Sequence, residues 1–444
     1  MEKEYIVVLN ADVDFAQFNQ EMIVSTGAGV IPNRTVDVAN PRPGSQRSTH
    51  YSLTDEEAEE LKNDSRVRDV EIPPQDRDDI EIGLRATQSG NFEKTTDDSG
   101  SYLNWGMRRC IESTNPYGTI LDDPGGDFKY TLDGTGVDIV IQDSGIQADH
   151  PEFNDADGVS RVQQIDWYTE SGLSGTQSSN HYRDLHGHGT HVAGTAGGLT
   201  YGWAKNARIY SVKVSGLEGS GDSGTGISST DCFNVIKEWH NNKTNGRPTI
   251  VNMSWGWSAG IGPDFTIITS VDYRGTTYDT NNDPRWHESN AYMSETYGLY
   301  PYWSGGGYRV PHRVASDDSD VEEMIDAGIH VCIAAGNNSF KADISTGIDY
   351  NNISLGYYYH RGSSPFSEEA FMVGNIDSNT HNSSLEQIRF SSTRGPAVNI
   401  YAPGTDIMSS CSTVSVMTTG NYPGDSNYKI CNIGGTSMAS PQVC

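Results

Sequence analysis

The sequence predicts an α/β fold: a parallel sheet with helices on both faces, preceded by a small α+β domain. Two observations predict it. From residue 137 onward, apolar runs of strand length alternate with segments of helical length, the pattern that crossover connections build into a parallel sheet. Before residue 75, short strand and helix signals form a block of their own, set off by a polar stretch.

In that first block, 5–9 reads as a strand and 15–22 as a short helix. A second helix follows over 53–62, with Thr54 as N-cap and Glu57 three residues on, a capping box. The strand 67–72 closes the block. Residues 76–103 are rich in Asp, Ser, Gly and Thr without periodicity and read as a flexible linker. Strand 137–142, helix 188–198, strand 208–214, helix 227–240, strand 249–254, helix 319–327 and strand 329–335 then alternate. Two stretches stand out as insertions. Residues 258–318 are crowded with aromatics, and 338–369 carry Tyr357-Tyr358-Tyr359. They read equally as self-packed decoration or as a substrate-facing surface.

Composition limits the partners. The net charge of −29 argues against nucleic acid and anionic membrane surfaces. No apolar run reaches the ~18 residues of a membrane-spanning helix. The N-terminus shows no basic segment followed by an apolar one, so no signal peptide is visible and the expected location is cytoplasmic or virus-particle-associated. The six cysteines, Cys110, Cys232, Cys332, Cys411, Cys431 and Cys444, have no metal-ligand spacing. They read as free thiols, with Cys411 and Cys431 able to pair across a polar loop.

The chemistry lies in three segments. Asp143-Ser144-Gly145 ends an apolar run. His186-Gly187-His188-Gly189-Thr190-His191-Val192-Ala193-Gly194 opens a helix, and so does Gly435-Thr436-Ser437-Met438-Ala439-Ser440-Pro441. A serine hydroxyl is a weak nucleophile that needs a base, and the base needs an orienting group. A helix N-terminus also favours a developing negative charge beside the serine. The chain order Asp, His, Ser is that of subtilisin.

Together with Val331-Cys332-Ile333-Ala334-Ala335-Gly336-Asn337, these segments resemble the subtilisin-like serine proteases, the subtilases. The resemblance covers roughly 104–444. Asn104-Trp105-Gly106-Met107, His150-Pro151-Glu152-Phe153 and Tyr201-Gly202-Trp203-Ala204-Lys205 are similar to the proteinase-K-like branch. It implies that Ser437 is the nucleophile, His188 its base, Asp143 the orienting carboxylate and Asn337 the oxyanion donor, beside the Ser437 N–H. His191, three residues along the same helix, then reads as structural, His186 as an exposed loop residue and His150 as structural.

The resemblance further implies polypeptide substrates held between Gly219-Ser220-Gly221 and Ser254-Trp255-Gly256. The pocket for the residue before the scissile bond would lie between the latter and Ala334, Ala335 and Gly336. Trp255 stands where the family has a smaller aliphatic residue, which leaves that preference open. Residues 1–75 resemble the family's propeptide, so self-processing and inhibition by the chain's own propeptide are expected, with 104–444 as the peptidase domain. The family continues the Ser437 helix further, so that domain is expected to extend past Cys444. No cofactor is expected to be required, and a structural calcium ion is left open but unsupported. No loop spells a calcium site: Asn399 replaces the branch's acidic ligand, and Asn154-Asp155-Ala156-Asp157-Gly158 reads as an acidic turn. The alternative is a catalytically idle subtilase-fold protein that binds through its aromatic insertions.

Overall fold

A computed structural model describes residues 1–10, 12–24, 32–40, 48–73, 76, 88–91, 105–111, 127–130, 132–181, 183–219, 221–222, 224–261, 268–301, 308–378, 386–417 and 419–444. The chain divides into two units, Met1–Arg85 and Ala86–Cys444.

The first unit is a four-stranded antiparallel sheet in the order Val38–Asn40, Ser48–Leu53, Lys3–Leu9, Val67–Glu71. Tyr5, Val7 and Leu9 recur every second residue on its inner face. They pack with Tyr51 and Leu53 against Phe18 and Met22 of the helix Phe15–Ile23 and Ala58 and Leu61 of Asp55–Leu61. Thr54 and Glu57 form the expected capping box, with both reciprocal bonds made. The sequence reading missed Ser48–Leu53, because its polar residues obscure the inward Tyr51 and Leu53.

In the second unit seven parallel strands run in the order Ile400–Pro403, Phe371–Ile376, His330–Ala334, Thr249–Met253, Asp138–Asp143, Arg208–Lys213, Val162–Gln163. Helices cover both faces, which is why the central strand Asp138–Asp143 is buried at every position. Val140 points toward the helices Ser229–Asn242 and Ala315–Asp326, packing with Phe233, Ile236 and Met324. Ile139 and Ile141 point the other way, toward Val192 and Ala196 of His188–Gly197 and Met438 of Thr436–Val443.

Gln88–Asn91, inside the stretch read as linker, is a strand paired antiparallel with Asp127–Tyr130. The first insertion leaves along Ser258–Ile261 and returns along the paired Tyr308–Pro311, four residues before the helix Ala315–Asp326. Its Trp286, Met293, Tyr297 and Tyr308 form a core that also takes Tyr359 from the second insertion. The two insertions therefore share one aromatic core.

Candidate active site

The strand Asp138–Asp143 brings Asp143 to the C-terminal edge of the sheet at the point where strand order reverses. The chain first builds Val162–Gln163 and Arg208–Lys213 on one side, then crosses to Thr249–Met253 on the other, which opens a crevice there. Two glycines bring the helix His188–Gly197 against this strand end. A Cβ on Gly189 would lie 2.1 Å from the Gly145 carbonyl oxygen, and one on Gly145, at φ +110°, would lie 2.5 Å from that of Arg183. Backbone thus meets backbone, and His188 Nδ1 lies 2.8 and 3.0 Å from the two Asp143 carboxylate oxygens.

Asp143 is 1% exposed and also accepts the Ser144 N–H at 2.7 Å. Burial is the strongest influence on His188 and pushes its proton affinity down. The charge of Asp143 and its hydrogen bond outweigh burial, and the imidazole is held above its usual range. The helix that carries His188 begins at Gly187, which has no side chain to cap it. Asp184 takes over, accepting the N–H groups of Gly187 at 2.8 Å and Thr190 at 2.9 Å. Ser144 Oγ accepts the Gly189 N–H at 2.9 Å and donates to Asp184 at 3.0 Å.

Ser437 stands in the first turn of Thr436–Val443 and is 8% exposed. Four residues on, Pro441 has no N–H to give the Ser437 carbonyl. Ser254 Oγ supplies that donor at 2.9 Å, while Ser437 Oγ donates to the Ser254 carbonyl at 3.0 Å. Asn252 steadies the pair: its Nδ2 bonds Ser254 Oγ at 2.9 Å, and its Oδ1 accepts Ser440 Oγ at 2.8 Å.

Asn337 follows the strand His330–Ala334. Its Oδ1 accepts the Thr436 N–H at 2.7 Å and the Thr436 hydroxyl at 3.0 Å. A backbone N–H can only donate, so this contact fixes which end of the amide is oxygen. Asn337 Nδ2 is left without a partner among the described residues. A Cβ on Gly435 would press within 3.1 Å of it.

Of the expected cleft residues, Gly219 lies against the Leu185–His186 backbone, where a Cβ would sit 3.0 Å from the His186 nitrogen. Gly221 is near Leu185, and Ser220 lies outside the described residues. Asp222, just beyond, is tied by a buried ion pair of 2.7 Å to Lys213, the register partner of Asp143. Ser254, Trp255 and Gly256 follow Thr249–Met253. Ala334, Ala335 and Gly336 follow the adjacent strand, so the two segments are neighbours. The Trp255 ring is partly buried against the core, with Phe233 at 6.4 Å and Trp257 at 6.1 Å between centroids.

His186 is half-buried rather than exposed, with its ring centroid 6.0 Å from that of His188; Ser415 Oγ at 3.0 Å holds its carbonyl. His191 is structural: Nε2 bonds the carbonyls of Ile407 and Cys431, and burial pushes its pKa down to about 3. His150 is buried and bonds the Lys429 carbonyl. Asn399 Oδ1 is taken by the Met372 N–H, and Asp155 closes an ordinary turn onto Asp157 and Val159. The supporting roles of Asp184, Ser144, Asn252, Ser440 and Lys213 were not read from the sequence, although Ser144 and Ser440 lie within the quoted motifs. Only the D-x-x-x-H spacing of Asp184 to His188 offered a signal.

Residues 134–444 match the subtilase family, Peptidase S8. The chain belongs to the subtilase family. Proteinase R of Parengyodontium album is 28% identical over 343 residues, covering 76% of this chain and 58% of that protein. The extracellular serine proteinase of Thermus sp. (strain Rt41A) is 30% identical over 226 residues, 51% of this chain and 44% of that one. The chain thus spans less than two thirds of the length of either relative. A cold-adapted subtilisin-like serine proteinase of known structure aligns over 70% of this subtilase and 74% of its own chain, at 22% identity and a TM-score of 0.39.

Proposed function

We propose that this subtilase is a serine endopeptidase in which Ser437 is the nucleophile, His188 the general base, Asp143 its orienting carboxylate and Asn337 the oxyanion donor. The observation that carries the reading is the pairing of His188 Nδ1 with the buried Asp143, while Ser437 opens a second helix that packs against the helix of His188. With Nδ1 committed as donor, Nε2 is the basic nitrogen. Substrate binding exchanges the Ser437–Ser254 hydrogen bond for one to Nε2. Ser437 Oγ then attacks the scissile carbonyl as His188 takes its proton. Asp143 stabilises the imidazolium, which passes the proton to the leaving amine. The oxyanion takes hydrogen bonds from Asn337 Nδ2 and from the Ser437 N–H, a first-turn donor with no intrahelical acceptor.

A peptide substrate lies extended between Gly219–Gly221 and Ser254–Gly256, with its side chain before the scissile bond toward Ala334–Gly336. Residues 1–75 serve as an intramolecular inhibitor that the enzyme itself cuts away. The test is hydrolysis of denatured casein by the wild type and by Ser437→Ala. Loss of the nucleophile costs about 10⁶ in turnover in subtilisin. A clean, folded Ser437→Ala preparation that keeps a few per cent of the activity would falsify the assignment.

A further inference from the structure

Three sulfur atoms that the proposed chemistry does not use gather behind the His188 helix. Cys411 ends the strand Ile407–Cys411, and Cys431 lies in Asp425–Ile433. The antiparallel register pairs Ser409 with Cys431 and Cys411 with Lys429, so the two cysteines are diagonal neighbours on one face. Both are buried on that shared face. Cys431 Sγ also lies 3.9 Å from Met417 Sδ. Cys411 Sγ lies 3.5 Å from Ser415 Oγ and 3.9 Å from the Gly187 carbonyl.

A direct disulfide fits this geometry poorly. It needs Cα atoms about 4.4–6.8 Å apart, whereas diagonal neighbours sit at about 7–8 Å. His191 resists closing that gap. Its Nε2 bridges the two strands, bonded to Ile407 at 3.0 Å and to Cys431 at 3.2 Å. A cation held between two thiolates spans the wider gap without moving the strands. Thiolate and thioether donors select soft metals such as Cu(I), whereas hard cations take oxygen. We propose that Cys411, Cys431 and Met417 form a binding site for a soft, thiophilic cation of the Cu(I) class.

No three His, Cys, Asp or Glu side chains converge elsewhere among the described residues; here the third donor is a thioether. Binding involves no change of oxidation state. Two thiol protons leave as two Cu–S bonds form, and the Met417 sulfur donates a lone pair. The chain's net charge of −29 favours cation capture. Cys411 Sγ sits against the carbonyl of Gly187, the residue before His188, so an occupied site slows hydrolysis. That second effect rests on the proposed role of His188; binding does not.

The experiment titrates the reduced full chain with Cu(I) against a chromogenic Cu(I) chelator, following the near-ultraviolet thiolate-to-copper band. The expected result is a single copper held by the wild type, lost in Cys411→Ser and in Cys431→Ser, and held more weakly by Met417→Leu. Cys332→Ser, at a buried free cysteine in the strand His330–Ala334, keeps it. Melting curves check that each variant is folded. A wild type that takes up no copper, serine variants that retain it, or a Cys411–Cys431 disulfide found by peptide mapping of unreduced protein overturns the site. Absent hydrolysis in copper-free protein would count against the protease reading alone.

Discussion

At His188 two opposing effects meet. Burial disfavours the imidazolium and the Asp143 carboxylate favours it, and the net shift is upward. The base must be neutral to accept the Ser437 proton, so activity should rise with pH through a value above the ordinary histidine range. Asp143→Asn removes the favouring charge. The acid limb of the kcat/KM profile should then move to lower pH while turnover falls by about 10⁴. An acid limb that stays in place would show that another group titrates there. His191, held neutral by burial near a pKa of about 3, contributes nothing to that limb. In the proposed mechanism Asn337 acts differently, because its Nδ2 has work only when negative charge develops. Asn337→Leu should cut kcat by ~10²–10³ and leave KM nearly unchanged. A change confined to KM would place Asn337 in ground-state binding instead.

At the scale of elements, two helices are locked onto the sheet by contacts that leave no slack. Pro441 frees the Ser437 carbonyl and Ser254 takes it up, so Ser254→Ala leaves a buried carbonyl without its donor. The expected loss is about 1–3 kcal/mol of stability, with a lower kcat as the helix start loosens. Thermal melting alongside kinetics checks both, and an unchanged melting temperature would contradict the role. The His188 helix is as tightly seated. A Cβ on Gly194 would lie 2.2 Å from Ser410 Oγ and 2.4 Å from Ser409 Oγ. Gly194→Ala should therefore destabilise by about 1–3 kcal/mol through overpacking; a melting temperature equal to the wild type's would refute that fit.

These elements were legible to different degrees. The strand Asp138–Asp143 announces itself because burial on both faces demands the consecutive apolar residues Ile139-Val140-Ile141 at its centre. The capping box at Thr54 is local chemistry and reads directly from the chain. Asp184, Asn252 and Ser440 could not be read this way: each acts through a partner that only folding brings near. His186 was misjudged for the same reason, since its neighbour Ser415 is far along the chain.

At the scale of the whole molecule, the chain is two units, and the aromatic residues of the insertions are largely spent on their own core. The composition of 258–318 showed that something packs there; it could not show that Tyr359 of the second insertion joins in. If residues 1–75 are an inhibitor cut away by Ser437, wild-type protein should appear as two fragments, with the cut between residues 74 and 103. Ser437→Ala should remain one chain, and the cutting rate should not depend on protein concentration. A wild-type preparation that hydrolyses substrate while uncut from Met1 would leave the first unit an accessory domain. Everything rests on an activated Ser437, and the most direct measurement is covalent labelling with a fluorophosphonate, followed by peptide mapping. A single adduct on Ser437 is expected, formed faster as pH rises through the His188 titration and absent in His188→Ala. Folded wild-type protein that stays unlabelled, or an adduct equally strong in His188→Ala, would contradict it.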